Sequence, residues 1–139
     1  MAGNIVSGKA VGEWVAAKVG GVLQDNSTAI GLERDGQLVA GAFYENWNRR
    51  SIVGHIAIHG KITIGFVRAI CSYPFDDCGV HKLIGPISSN NKKAIKFAIR
   101  IGFEEEARIK DADPDGDIIL FTLTKDKCRY LGVRHGKER

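Results

Sequence analysis

The stretch "SSNNKKAIKFAIRIGFEEEARI", Ser88 to Ile109, decides how the rest of the chain is read. Two serines and two asparagines run into a basic, partly apolar segment that stops at Gly102-Phe103 and then turns acidic. The pattern predicts a helix from about Asn91 to Ile101. Asn91 can cap free helix amides, Gly102 supplies the left-handed conformation a helix end needs, and Lys96 and Arg100 suit the negative end of the helix dipole.

Working outward, "VHKLIGPIS" before this helix has strand character. After it, "FEEEARIK" and "DIILFTLTK" predict a hairpin around "DADPDG". Further upstream the pattern has helical period: in "GKITIGFVRAICSYPF", Thr63, Phe66, Val67, Ile70 and Cys71 fall on one face, and Pro74 limits the helix. "RRSIVGHIAIH" predicts a strand with Ile52, Gly54, Ile56 and Ile58 on one face and Val53, His55, Ala57 and His59 on the other. Asp35-Gly36 marks a two-residue hairpin between two β-compatible runs. "KAVGEWVAAKVGG" reads as a short helix stopped by Gly20-Gly21. The order is helix, three strands, helix, strand, helix, two strands. It predicts an α+β domain, layered as in α/β proteins, with a mixed, mostly antiparallel sheet.

A length of 139 residues suits one domain, 1–139, with an N-terminal helical segment over 1–26 and a basic tail over 132–139. Hydrophobic residues make up 44% and charged residues 26%, which excludes a disordered chain. No apolar run is long enough to span a bilayer, so no membrane partner is expected. The start "MAGNIVSGKAVGEW" lacks a basic region followed by an apolar one, so a cytoplasmic protein is expected. Three cysteines without a C-x-x-C pair predict reduced thiols rather than a disulfide framework or zinc knuckle. A net charge of +4 permits a nucleic-acid partner but, spread along the chain without a clustered patch, does not argue for one, and such a partner is not expected; an anionic small molecule fits the charge equally well.

The strand, then Asn91, Ala94 three positions on, and Gly102-Phe103 eleven and twelve positions on, followed by Glu105 or Glu106, resemble the late motif of the GNAT acetyltransferase superfamily. The resemblance covers about Ala29 to Leu131. It looks closest to the branch that acetylates ribosomal-protein N-termini and to bacteriophage-encoded GNAT-like proteins; in the latter, "IVGHIA" and "CRYL" have counterparts. It implies a GNAT-like sheet with helices on both faces. It also implies acetyl-CoA in a V-shaped gap between 52–59 and 81–88, its pantetheine pairing with the first of these strands. Its phosphates would rest where that strand turns into the next helix, an anion site made by exposed amides. The cofactor-side candidates are then Ile56, Ala57, Ile58, His59, Gly60, Lys61, Gly65, Asn91 and Lys96. Two departures stand out. The turn "HGKITIG" lacks the family's Gln/Arg-x-x-Gly-x-Gly/Ala pattern, although Lys61 could supply charge there. Ala98 stands where many members carry a tyrosine that protonates the leaving thiolate, which leaves Ser88, Ser89 or water for that task.

Acyl transfer to an amine needs a base, an oxyanion donor and alignment. His55, mid-strand beside the expected gap, is the first candidate base; the alternative is a sheet-face histidine. Glu45 is the second, against a solvated strand-end carboxylate. A strand amide near Ile56 to Ile58 would face the oxyanion. Asn91 serves either as a helix cap or as a cofactor contact, and the two are compatible. Lys92, Lys96 and Arg100 form a face that either meets CoA phosphates or water. Three near-motifs fail. "GHIAIHGKI" lacks P-loop spacing and its Ser/Thr, "HIAIH" lacks the helix and Glu of a zincin, and "DADPDGDI" has Thr122 where a calcium loop needs Glu. No metal is expected.

The expected function is an acetyl-CoA-dependent N-acetyltransferase acting directly on a primary amine: a protein N-terminus, a lysine or a small amine. The alternative is a catalytically weakened GNAT-like fold acting as a virion-associated or host-protein-binding protein. A homodimer through the terminal strands is left open.

Overall fold

The computed structural model describes residues 3–131, so the basic tail over 132–139 lies outside the described residues. Seven strands form one sheet in the order β1-β2-β3-β4-β5-β7-β6. They are β1 (Asn4–Ser7), β2 (Thr28–Arg34), β3 (Gln37–Glu45), β4 (Ser51–Ile58), β5 (Lys82–Ser88), β6 (Glu104–Asp113) and β7 (Gly116–Thr124). All neighbouring pairs are antiparallel except β4 and β5. The helices are α1 (Lys9–Val19), α2 (Ile64–Ser72) and α3 (Lys92–Ile101). This is the mixed, mostly antiparallel sheet expected from the sequence.

The faces follow from strand alternation. On one side, Val11, Val15 and Ala16 of α1 pack on Ala29 and Phe43. The helix comes close because Gly41 has no side chain; a Cβ there would lie 2.7 Å from Val15 Cγ2. On the other side, Phe66, Val67, Ile70 and Cys71 of α2 join Phe97 and Ile101 of α3 over Leu32, Ile52, Leu83 and Leu123. Helices therefore cover both faces, α1 on one and α2 with α3 on the other.

Local signals explain the element ends. Asp35 (φ 55°) and Gly36 (φ 77°) are both left-handed, as a two-residue hairpin turn requires. Thr63 stands outside α2 as its cap, with Oγ1 accepting from Phe66 N at 3.1 Å. Pro74 ends the regular helix, yet the chain continues through one wide π turn, Tyr73–Asp77, that buries Pro74 and Phe75. Asn91 Oδ1 accepts from Ala94 N at 3.2 Å and caps α3. Asn91→Ala should cost about 1 kcal/mol of folding stability. Urea unfolding would show this as a lower midpoint with an unchanged m-value, and an unmoved midpoint would refute it.

Two sequence expectations need correction. The segment over 1–26 is not wholly helical: Asn4–Ser7 form a strand against β2, with Ile5 opposite Leu32. Four residues give too short a pattern to read, and the neighbouring strand supplies the order. The last hairpin turns on Pro114 and Asp115 alone, because pairing reaches Asp113 opposite Gly116. Irregularities between Glu105 and Ala107 and between Ile109 and Asp113 take up the extra residues. Among the described residues no helix is long and apolar enough to cross a membrane.

Candidate active site

The β4–β5 ladder has three pairs, Ser51 with Lys82, Ile52 with Leu83 and Val53 with Ile84. Beyond them the strands part. β4 stays with β3 as far as Ile58, opposite Ala40, while β5 stays with β7 as far as Ser88, opposite Ile118. Pro86 suits this, since proline has no amide for a central strand and belongs at an edge. The fork opens a cleft of about 890 Å³ between the strands. Gly54, His55 and Ile56 line it from β4, and Gly85 to Ser88 from β5. The strand edge on the cleft side keeps backbone groups without a ladder partner, which an extended ligand can use.

His55 stands just past the fork and lines the cleft. Its Nε2 lies 2.6 Å from Glu45 Oε2, with both side chains less than one-fifth exposed. The two meet because Phe43 pairs with His55 and Glu45 with Val53, placing them diagonally on one sheet face. The ring also stacks on Phe43, with centroids 4.6 Å apart. With the carboxylate holding the Nε2 proton, Nδ1 is the basic ring nitrogen. The structure thus joins both sequence-selected base candidates into one dyad. Glu45 does not reach the cleft wall and touches it through His55.

Ala98 is buried and lines the cleft. Ser88 lines it as well, but its hydroxyl donates to Asp113 Oδ2 at 3.1 Å and accepts from Asn90 N at 3.2 Å. Among the described residues the only phenol on the cleft wall is Tyr44, a residue sequence reasoning passed over. Its hydroxyl donates to Ile70 O at 2.6 Å, and burial pushes its pKa well above the usual phenol value. Cys71 also lines the cleft and hydrogen-bonds Cys128. The Cys71 thiol and the Tyr130 and Leu131 amides pull Cys128 down to about 7, while Cys71 is pushed up.

The turn after β4 differs from the sequence expectation. His59 N and Gly60 N both donate to Val39 O, at 2.8 and 3.0 Å, so these two amides are committed within the protein. Lys61 is exposed and its carbonyl accepts from Arg34 Nη1 at 3.0 Å. Gly65 is exposed in the first turn of α2. Ile56, Ala57, Ile58 and His59 line a smaller pocket of about 180 Å³ at the far end of β4. Asn91 lines both cavities; Lys96 is exposed and lines neither. Among the described residues no group of three or more His, Cys, Asp or Glu side chains is placed to hold a metal ion.

No protein-family model matches the chain, and no curated protein matches it. Solved structures do share its fold. A putative acetyltransferase, yncA from Salmonella typhimurium with its cofactor acetyl-CoA, superposes with a TM-score of 0.66 at 18% identity, over 93% of this chain and 97% of that one. A probable acetyltransferase gives 0.63 at 24% identity, over 73% of this chain. The match spans 64% of that protein, under two-thirds of its length. The N-acetyltransferase PseH of Campylobacter jejuni, in complex with acetyl coenzyme A, gives 0.57 at 17% identity, over 73% and 70% of the two chains. These neighbours are described as acetyltransferases, and the chain shares their fold.

Proposed function

We propose that this chain is an acetyl-CoA-dependent N-acetyltransferase that passes the acetyl group directly to a primary amine. The observation that carries the reading is the fork: β4 and β5 part after three pairs, and a His55–Glu45 dyad 2.6 Å apart stands beside the opening. Two of the structures sharing the fold hold acetyl-CoA, which supports it as the donor.

The residues present fit such a donor. The unpaired edge of β4 from Gly54 to Ile58 suits the amide groups of a pantetheine arm. The first turn of α2, with Gly65 exposed and Lys61 just before it, suits a phosphate. Bound there, acetyl-CoA supplies an acyl group activated as a thioester. His55 takes the proton of the acceptor amine at Nδ1, and Glu45 holds the ring through Nε2 and stabilises the imidazolium. Ser88 or a water supplies the proton that the sequence no longer offers at Ala98. The acceptor class extends from a protein N-terminus or lysine to a small amine.

A second reading rests on Ala98 and on the committed His59 and Gly60 amides. It is a GNAT-like fold that binds the donor without efficient transfer and serves as a binding protein. Melting with and without acetyl-CoA, followed by thiol release on a panel of amines and peptides, separates the two. Ligand at 100 times its dissociation constant should add about 2.7 kcal/mol of stability. No shift at millimolar ligand would end the acetyl-CoA reading. A shift without thiol release would favour the binding protein.

A further inference from the structure

Three hydrogen bonds converge on one sulfur beneath the cleft. Cys128, just past the short turn Lys125–Lys127, accepts from the Cys71 thiol and from the Tyr130 and Leu131 amides. Both cysteines are buried, Cys71 at 1% exposed and Cys128 at 8%. They share a core cluster with Ile52, Leu83 and Leu123, which pair across β4, β5 and β7 at the closed end of the fork. The chain beyond β7 is fixed there: Arg129 N donates to Ile101 O at 3.1 Å, and Tyr130 and Leu131 pack on the same cluster. Cys71 belongs to the end of α2 and lines the cleft. Packing alone would need only a small apolar side chain at Cys128. Donors aimed at its sulfur instead favour the thiolate, the form that reacts with oxidants. That thiolate in turn holds the proton on Cys71, whose thiol is pushed up first by the bond to Cys128 and then by burial. A reactive thiolate touching a second thiol is the arrangement that closes to a disulfide on oxidation.

We propose that Cys128 and Cys71 are a peroxide-reactive pair that closes to a reversible disulfide, joining α2 to the chain beyond β7 beneath the cleft. The inference stands independently of the acetyl-CoA reading. The burial of Cys128 favours a small oxidant such as hydrogen peroxide over a bulky disulfide. The Cys128 thiolate attacks one peroxide oxygen; the O–O bond breaks, hydroxide leaves, and Cys128 becomes a sulfenic acid. The hydroxide takes up the proton that Cys128 had given away. Loss of the charge on Cys128 removes the main cause that kept Cys71 protonated. The Cys71 sulfur then attacks the Cys128 sulfur, the S–O bond breaks, and the oxygen departs as water with the Cys71 proton. Two thiols are oxidised by two electrons, and one peroxide is reduced to two waters. Cys78 takes no part.

The test is treatment of the full reduced chain with hydrogen peroxide, followed by alkylation of remaining thiols and peptide mapping by mass spectrometry. The monomer should lose two hydrogens, yield one linked Cys71–Cys128 peptide with Cys78 alkylated, and return to three free thiols in dithiothreitol. Cys78→Ser should form the same link. Cys71→Ser should stop at the Cys128 sulfenic acid, which dimedone traps. Cys128→Ser should slow thiol oxidation at pH 7 about tenfold or more, because the remaining Cys71 is protonated. In the wild-type chain the rate should rise with pH and level off by about pH 8, since Cys128 titrates at about 7 against the opposing charge of Asp76. A rate still climbing there would mark an ordinary thiol, with a pKa of about 8.5, and would count against the pair. A link to Cys78, a link between two chains, or no link with Cys128 still free would overturn the proposal. So would a Cys128→Ser chain that reacts as fast as wild type. If Cys71→Ser fails to fold, the wild-type peptide map decides alone.

Discussion

His55→Ala should lower kcat/KM for the amine by about 10²- to 10⁴-fold, the range expected when a positioned general base is removed. The loss should appear in kcat, with the affinity for acetyl-CoA nearly unchanged, because the proposed role of His55 is toward the acceptor amine rather than the phosphates. Thiol release under saturating donor measures it. Glu45→Gln should produce a smaller loss, since the amide can still hold the ring but cannot stabilise the imidazolium across the 2.6 Å contact. Unchanged turnover in His55→Ala would remove the base from β4 altogether. Equal losses in rate and in donor affinity would instead mean that the stacked His55 and Phe43 rings serve to hold the cleft open.

Gly102→Ala should be the most damaging small substitution for folding. Gly102 has φ +127°, a conformation that residues with a Cβ rarely adopt, and the added carbon would overlap the Lys127 carbonyl oxygen. Leu123 Cδ1 would lie 3.3 Å from the added carbon, a second close contact. Strain of this kind costs about 1–3 kcal/mol, and the backbone overlap adds to it. The Gly102 amide donates to Ala98 O and Ile99 O, and Phe103 N donates to Ala98 O, so these bonds loosen together. Urea unfolding followed by far-UV circular dichroism should show a midpoint well below that of Asn91→Ala. A midpoint within error of wild type would mean that the turn at Lys125–Lys127 yields freely.

The stretch from Ser88 to Ile109 was legible because its signals are local. Asn91 caps within three residues, Gly102 ends the same helix, and Ala94 and Ala98 are buried where the register puts them. Asp35-Gly36 was legible for the same reason, since the turn carries its own backbone requirement. The resemblance located the gap between β4 and β5, but the site depends on contacts between distant residues. Nothing near His59 and Gly60 in sequence announces that Val39, about twenty residues earlier, takes both amides. Tyr44 belongs to a strand that reads as core, and only the fork exposes it to the cleft. The pairing of His55 with Glu45 is intermediate. Each was readable alone as a candidate, and the strand register joined them.

The short join between β4 and β5 falls where the chain itself divides. One leaf, β1 to β4 with α1 and α2, comes entirely from the residues before Cys78. The other, β5 to β7 with α3, comes entirely from those after it. Each leaf is a continuous run of polypeptide, and three rungs with a shared core, to which Leu83, Phe97, Ile101, Leu123 and Cys128 contribute from the second leaf, tie them together. Anything extended along both inner edges would bond to each leaf at once, so the same feature that admits a ligand also makes that ligand a structural brace.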